Sequence, residues 1–264
     1  MATAPDTRSA VDKAFSLLRC FSPNDASGVG VSELARRAEL SKSTAHRLLA
    51  MLVANGAVER ADDVYRLGPL CFELTQQSVS ESAEMISEVL TPHLAALFEQ
   101  TRHTVQLGYL EGTEVVYVNK LFSAQRVSSP SRIGGRAPAV CTGIGKALLA
   151  WDETRLESAL QRGLPKWTPY TITDPEELRQ ELEQVRLEGF AYDRQEIALG
   201  LSCIAAPIFG RNNQAVAAMS ISGHAAQFKP DVFANALRRT CAAASKSLLN
   251  FQRQQERKKP LAST

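Results

Sequence analysis

The stretch Ser41-Lys42-Ser43-Thr44-Ala45-His46-Arg47-Leu48-Leu49-Ala50-Met51-Leu52-Val53-Ala54 decides the reading of the whole chain. Ala45, Leu48, Leu49, Leu52 and Val53 recur at helical spacing and form one apolar stripe. Ser41 supplies the oxygen wanted at an N-cap, and Asn55-Gly56 is a left-handed terminator. The opposite face carries Lys42, Ser43, His46 and Arg47, with Thr44 at its edge. A helix of this kind suits a DNA major groove. Arg47 can bond guanine through two parallel N–H groups, the hydroxyls of Ser41, Ser43 and Thr44 can meet base or phosphate, and the first-turn amides favour phosphate. On an isolated amphipathic helix such a face is more commonly plain solvated surface, so the neighbouring segments have to decide.

Upstream, Val11, Ala14, Phe15, Leu18 and Phe21 place an apolar stripe on a helix over 9–21. A loop rich in Asn, Asp, Ser and Gly follows, and Ser32 is the expected cap of a short helix through Ala38. Downstream, Ala57–Arg60 and Val64–Leu67 flank Ala61-Asp62-Asp63 as a small hairpin. Three helices and a hairpin make a winged helix-turn-helix over 1–68. Arg60 and Arg66 on the hairpin are candidate contacts to the DNA backbone or minor groove, although Asp62 and Asp63 at its tip oppose close phosphate approach.

Pro69 suits the first turn of a linker helix over 69–83, with the polar segment Gln76–Glu84 as the boundary. Pro92 is expected to kink the next helix or restart it with Thr91 as cap. From His103 the period changes to two. Val105, Leu107 and Tyr109, then Val116 and Val118, read as a hairpin about Glu111-Gly112-Thr113. Helices are expected at Gly143–Trp151, Asp152–Gln161 and Pro175–Leu187, and strands at Ser202–Ile208 and Ala215–Ser222. A last helix runs from Asp231 to about Gln254, ahead of the basic Arg257-Lys258-Lys259. The fold class is α+β: a winged helix-turn-helix joined by a linker helix to an α/β domain (84–264) with a mainly antiparallel sheet.

The bulk numbers are permissive. A chain of 264 residues suits two domains, and a net charge of only +2 says little about a nucleic-acid partner, so charge placement carries that argument. Cys20, Cys71, Cys141, Cys203 and Cys241 are odd in number and scattered, which reads as reduced thiols in a cytoplasm rather than a disulfide framework. His46, His93, His103 and His224 are equally dispersed, so no metal and no cofactor is expected. Neither a secretory signal nor a bilayer span is visible, so no membrane partner is expected.

The residues quoted resemble the IclR family of bacterial transcriptional regulators. The opening helix matches at Ser9-Ala10-Val11-Asp12-Lys13-Ala14, the helix-turn-helix at Leu34-Ala35 and Ser41–Leu49, and the wing exit at Tyr65-Arg66-Leu67-Gly68. Similarity continues through Cys141–Ala150, Gly189–Asp193, Gly200–Pro207 and Ala218–Gly223, so it covers about residues 9 to 250. The resemblance implies a GAF-like effector domain and homodimers, which in the family often pair into tetramers, on a pseudo-palindromic double-stranded operator. It also implies repression or activation under a small organic or aromatic acid. Carried over by position, the effector pocket falls on Thr142, Gly143, Asp193, Cys203, Ser220 and Ser222.

Physical reading reaches a similar site. Thr142–Gly145 opens a helix whose amides favour a carboxylate, and Ser220 and Ser222, two apart on a strand, point to one side. Val140, Leu201, Cys203 and Met219 are the expected apolar surround, with Asp193 bonding a hydroxyl or orienting a neighbour. Against this, alternating serines usually face solvent, a cysteine among apolar neighbours is usually core, and Gly143 and Gly145 can serve helix packing alone.

Two rivals remain. A redox-responsive DNA binder would use Cys141 or Cys203, with Lys146 and a helix N-terminus lowering the thiol pKa. A hydrolytic enzyme would need something like Asp193 with His224 or Cys203. Gly143-Ile144-Gly145-Lys146-Ala147 evokes a phosphate loop, but Val140 and Ala147 stand where its first glycine and its hydroxyl belong. No catalytic residue is nominated.

Overall fold

The computed structural model describes residues 7–22, 25, 27–77, 81–125, 127, 129 and 131–258. The chain divides into two compact units, Met1–Val79 and Ser80–Thr264.

In the first unit α1 (Ala10–Arg19) opens with a capping box. The Ser9 hydroxyl accepts from the Asp12 amide at 3.1 Å, while the Asp12 carboxylate accepts from the Ser9 amide at 3.0 Å. The short β1 (Val29–Gly30) precedes α2 (Val31–Arg37), then come α3 (Lys42–Ala54), the hairpin β2 (Val58–Ala61) and β3 (Val64–Leu67), and α4 (Pro69–Gln77). β1 pairs with the far side of β3, making a three-stranded wing. Leu17, Val29, Leu34, Ala35, Leu48, Leu49, Val58 and Tyr65 form the core. Two expectations change here. Gly30, not Ser32, caps α2 and gives no side-chain bond, because Gly30 leaves the wing strand in extended conformation. The α1 stripe is only half used. Val11 and Phe15 stay exposed, because this small core reaches only the last turn of α1, at Leu17 and Leu18.

The second unit begins with α5 (Glu81–Thr101), which runs unbroken through Pro92, so Thr91 caps nothing. Only one ladder bond is lost there, and Leu90, Leu94 and Leu97 bury the helix on both sides of the proline. The sheet is built from β4 (Thr104–Glu111), β5 (Glu114–Leu121), β6 (Arg136–Pro138), β7 (Ala191–Arg194), β8 (Leu201–Phe209) and β9 (Ala215–His224). Its order is β6-β5-β4-β9-β8-β7, antiparallel throughout. One face packs on α5 and α9 (Ala234–Lys258) through Leu107, Ile204, Met219 and Ile221. The other packs on α6 (Gly143–Leu149), α7 (Glu153–Gln161) and α8 (Pro175–Glu188) through Val115, Ile144, Leu148 and Ala205. α8 follows its local signals: Asp174 caps it, Pro175 starts it and Gly189 ends it at φ +79°. β1, β6 and β7 were not anticipated from the sequence, and Asp231 sits in a single tight turn ahead of α9 rather than inside it. Lys259 of the basic tail lies outside the described residues.

Candidate DNA-reading helix and effector cavity

The turn between α2 and α3 fixes how α3 leaves the bundle. Leu40 N–H returns to the Ala35 carbonyl at 2.9 Å, and Glu39 takes a left-handed φ of +54°. The Arg8 guanidinium clamps this turn by donating to the carbonyls of Ala38 and Glu39 at 3.0 and 2.9 Å. Ser41 caps α3, accepting from the Thr44 amide at 3.2 Å and donating to the Thr44 hydroxyl at 2.8 Å. Ala45, Leu48 and Leu49 are buried, whereas Ser41, Lys42, Ser43, His46 and Arg47 are exposed and Thr44 half-buried. Among the described residues, Lys42, His46 and Arg47 have no hydrogen-bond or ion-pair partner in the protein, so their donors are open to a ligand.

The wing arginines differ. Arg60 donates to the Asp62 carbonyl at 2.9 Å, lies 3.8 Å from the Asp63 carboxylate and sits over the Tyr65 ring. Arg66 donates to the Ser27 carbonyl at 3.1 Å. Both are exposed, but each already has an internal partner.

In the second unit, Thr142, Gly143, Asp193, Leu201, Cys203, Ser220 and Ser222 line one cavity on the α6 face of the sheet. Two nominated residues do not. Met219 is fully buried on the other face, against α5 and α9, because side chains on β9 alternate and 219 is out of phase with 220 and 222. Val140 turns into the core beside Leu110 and Ile144, within the tight turn that precedes α6. The void itself is about 20 Å³, on the scale of the ~10–15 Å³ that a single water occupies. Any larger ligand must push its walls apart.

The cavity contains polar residues that sequence reasoning missed. Gln106 is central. Its side-chain carbonyl accepts from the Ser220 hydroxyl at 2.7 Å, and its amide donates to Ser222 at 3.0 Å and Ser131 at 3.4 Å. Ser129 and Tyr117 also line the space, and Ser129 hydrogen-bonds Ser131. Strand alternation from Val105 and Leu107 would have placed Gln106 on this face; nothing in the sequence singled out Ser129 or Ser131. Gly143 answers a steric demand, since a Cβ there would lie 2.6 Å from the Cys203 sulfur.

The electrostatics separate the rival readings. Asp193 is buried, accepts from the Glu196 amide at 2.7 Å, and is raised to about 7 by burial, with the nearby Glu196 charge adding to it. Burial, and then Asp193, pushes the Cys141 thiol up to about 12 and the Cys203 thiol further. The redox reading needs the opposite direction. Lys146 is fully buried and committed to Glu196 at 2.7 Å and Glu181 at 3.2 Å, so it is neither a phosphate ligand nor a free thiol activator. His224 is exposed and lines a separate groove, so Asp193 and His224 do not meet in the cavity; Asp193 and Cys203 do, as register partners of β7 and β8. Among the described residues no cluster of metal-ligating side chains occurs, and no helix is long and apolar enough to cross a membrane.

Comparison with known proteins agrees with both halves. Residues 77–257 match the family model described as bacterial transcriptional regulator IclR C-terminal, and residues 10–62 match the IclR helix-turn-helix domain. The chain is 35% identical over 233 residues to the HTH-type transcriptional regulator KdgR of Dickeya chrysanthemi, covering 86% of this chain and 74% of that one. The fold is similar to the crystal structure of Thermotoga maritima IclR, with a TM-score of 0.75, 31% identity and coverage of 90% and 98%. It is also similar to an IclR homolog from Microbacterium hydrocarbonoxydans complexed with 4-hydroxybenzoate, with a TM-score of 0.71, 30% identity and coverage of 91% and 99%. With an exposed cationic helix face in one unit, a polar cavity in the other and both family domains in order, the chain belongs to the IclR family of DNA-binding bacterial transcriptional regulators that respond to small molecules.

Proposed function

We propose that α3 lies in the major groove of a pseudo-palindromic operator, one helix from each subunit of a homodimer, and that a small organic or aromatic acid in the Asp193–Ser220 cavity alters operator affinity. The observation that carries the DNA reading is the unpartnered cationic face of α3. Lys42, His46 and Arg47 point outward while Ala45, Leu48 and Leu49 anchor the helix. Arg47 reads bases, Lys42 neutralises phosphate, and the hydroxyls of Ser41, Ser43 and Thr44 position the first turn. Arg60 and Arg66 contribute at most after giving up their present partners. The cavity supports an acid because Gln106, Ser220 and Ser222 present hydrogen-bonding groups there and the bound relative carries an aromatic acid. The protein acts in the cytoplasm as a regulator, not an enzyme, and its thiols take no part.

The test is operator binding by the purified protein. Arg47→Ala costs about 1–3 kcal/mol and relaxes base preference, while Lys42→Ala weakens all sequences alike and lowers the salt slope by about 1. Intact discrimination in Arg47→Ala overturns the groove assignment. An acid that stabilises the protein thermally shifts operator affinity by about 1–3 kcal/mol; a bound acid without that shift refutes the coupling.

A further inference from the structure

One buried charge on the cavity face has no counter-charge. Lys120 is 6% exposed, and in the sheet register it stands directly opposite Gln106, which in turn stands opposite Ser220. The three form a buried polar row across β5, β4 and β9, on the face toward α6. The Lys120 ammonium donates to the Ser131 carbonyl at 2.8 Å and to the Ser131 hydroxyl at 2.9 Å, and the Phe122 ring lies 4.8 Å away. No carboxylate among the described residues pairs with it. The contrast with Lys146 is direct, since that buried cation holds two carboxylates.

Burying a cation without an anion is costly, and the usual remedies are an ion pair or loss of the proton. Burial here lowers Lys120 to about 8. The ammonium therefore still carries a proton near neutrality. Two of its three N–H groups are engaged by Ser131, whose hydroxyl lines the cavity. Asp193, the carboxyl in the same cavity, is raised to about 7 by its own burial, so near neutrality it is only partly ionised. The cavity wall thus offers a nearby positive charge, while its carboxyl carries less than a full negative charge near neutrality.

We infer that Lys120 is the anion-recognising residue of the cavity: the effector's carboxylate docks at Ser131 and Gln106 and takes Lys120 as its counter-ion. This rests on the reading of the cavity as the effector site. It makes that ligand an acid bound as its anion, discriminated from its uncharged amide.

The experiment uses the full-length protein with four acids, benzoate, 4-hydroxybenzoate, pyruvate and succinate, and their primary amides, at matched ionic strength. Melting temperature and calorimetric Kd are read for wild type, Lys120→Met, Lys120→Arg and Ser220→Ala. At least one acid stabilises wild type and its amide does not. Lys120→Met weakens that acid on the order of 10- to 100-fold, the worth of a charge-assisted hydrogen bond, and melts no lower than wild type without ligand. Lys120→Arg retains binding. A wild-type Kd in Lys120→Met, or an amide as tight as its acid, overturns the role of Lys120; a simultaneous loss in Ser220→Ala shows that the cavity reading survives. Four acids without effect, or an acid that Ser220→Ala binds normally, overturn both. Should Lys120→Met fail to fold, acid affinity is followed from about pH 7 to about 9.5. Wild type weakens above about pH 8 as the ammonium loses its proton, whereas Lys120→Arg, sharing any Asp193 contribution, weakens less; parallel curves overturn the proposal.

Discussion

Replacing Asp193 by Asn removes a cavity group whose charge state governs stability near neutral pH. The carboxyl is 2% exposed and rises from an ordinary 3.8 to about 7, chiefly through burial and then through the neighbouring Glu196. In this range the folded protein holds a proton that the unfolded chain has released. Stability linked to this group is therefore complete below the unfolded value and is lost as pH rises toward 7. Each pH unit is worth about 1.4 kcal/mol, so from about pH 5.5 to about 8 wild type loses on the order of 2 kcal/mol relative to Asp193→Asn. Asn keeps an oxygen for the Glu196 amide, 2.7 Å away in wild type, so the fold is retained. For a unit of this size, 2 kcal/mol is a melting difference of roughly 4–8 °C. Urea or thermal melts of both proteins across that range measure it. A stability gap that stays flat with pH refutes the claim that Asp193 is protonated in the folded state.

Ser41→Ala removes both the N-cap of α3 and the hydroxyl proposed to meet DNA, and lowers the stability of the first unit by about 1 kcal/mol in denaturant melts; no loss of stability would show that the cap is replaced by solvent. Cys141 and Cys203 stay unreactive toward a thiol reagent in the folded protein, because burial raises both thiols. Operator binding is correspondingly insensitive to peroxide in wild type, and peroxide-sensitive binding that Cys→Ser variants abolish would reinstate the redox reading.

Much of the molecule is legible locally. The face of α3 follows from 3.6-residue periodicity plus one capping serine, and α8 from Asp174, Pro175 and Gly189, because these signals act within a few residues of one another. Thr142, Asp193, Cys203, Ser220 and Ser222 could be nominated through resemblance before their meeting place was known. Short strands resisted reading. β7 has only four residues, and its place at the sheet edge is set by pairing with β8.

What the sequence determined by itself is the chemistry of each segment: an oily and a cationic side on 41–54, a change of period at 103, and serines at 220 and 222. What only the tertiary structure decided is which segments share a face. Gln106 meets Ser220 because β4 lies beside β9, a pairing between strands more than a hundred residues apart. Lys120 joins them because the register slips between Leu107 and Gly108. Counting by twos from Val116 and Val118 keeps Lys120 on their side of β5, and the bulge turns it to the cavity side instead. A side chain's face depends on the parity of every residue before it in the strand, and one extra residue, invisible to local pattern, reverses that parity.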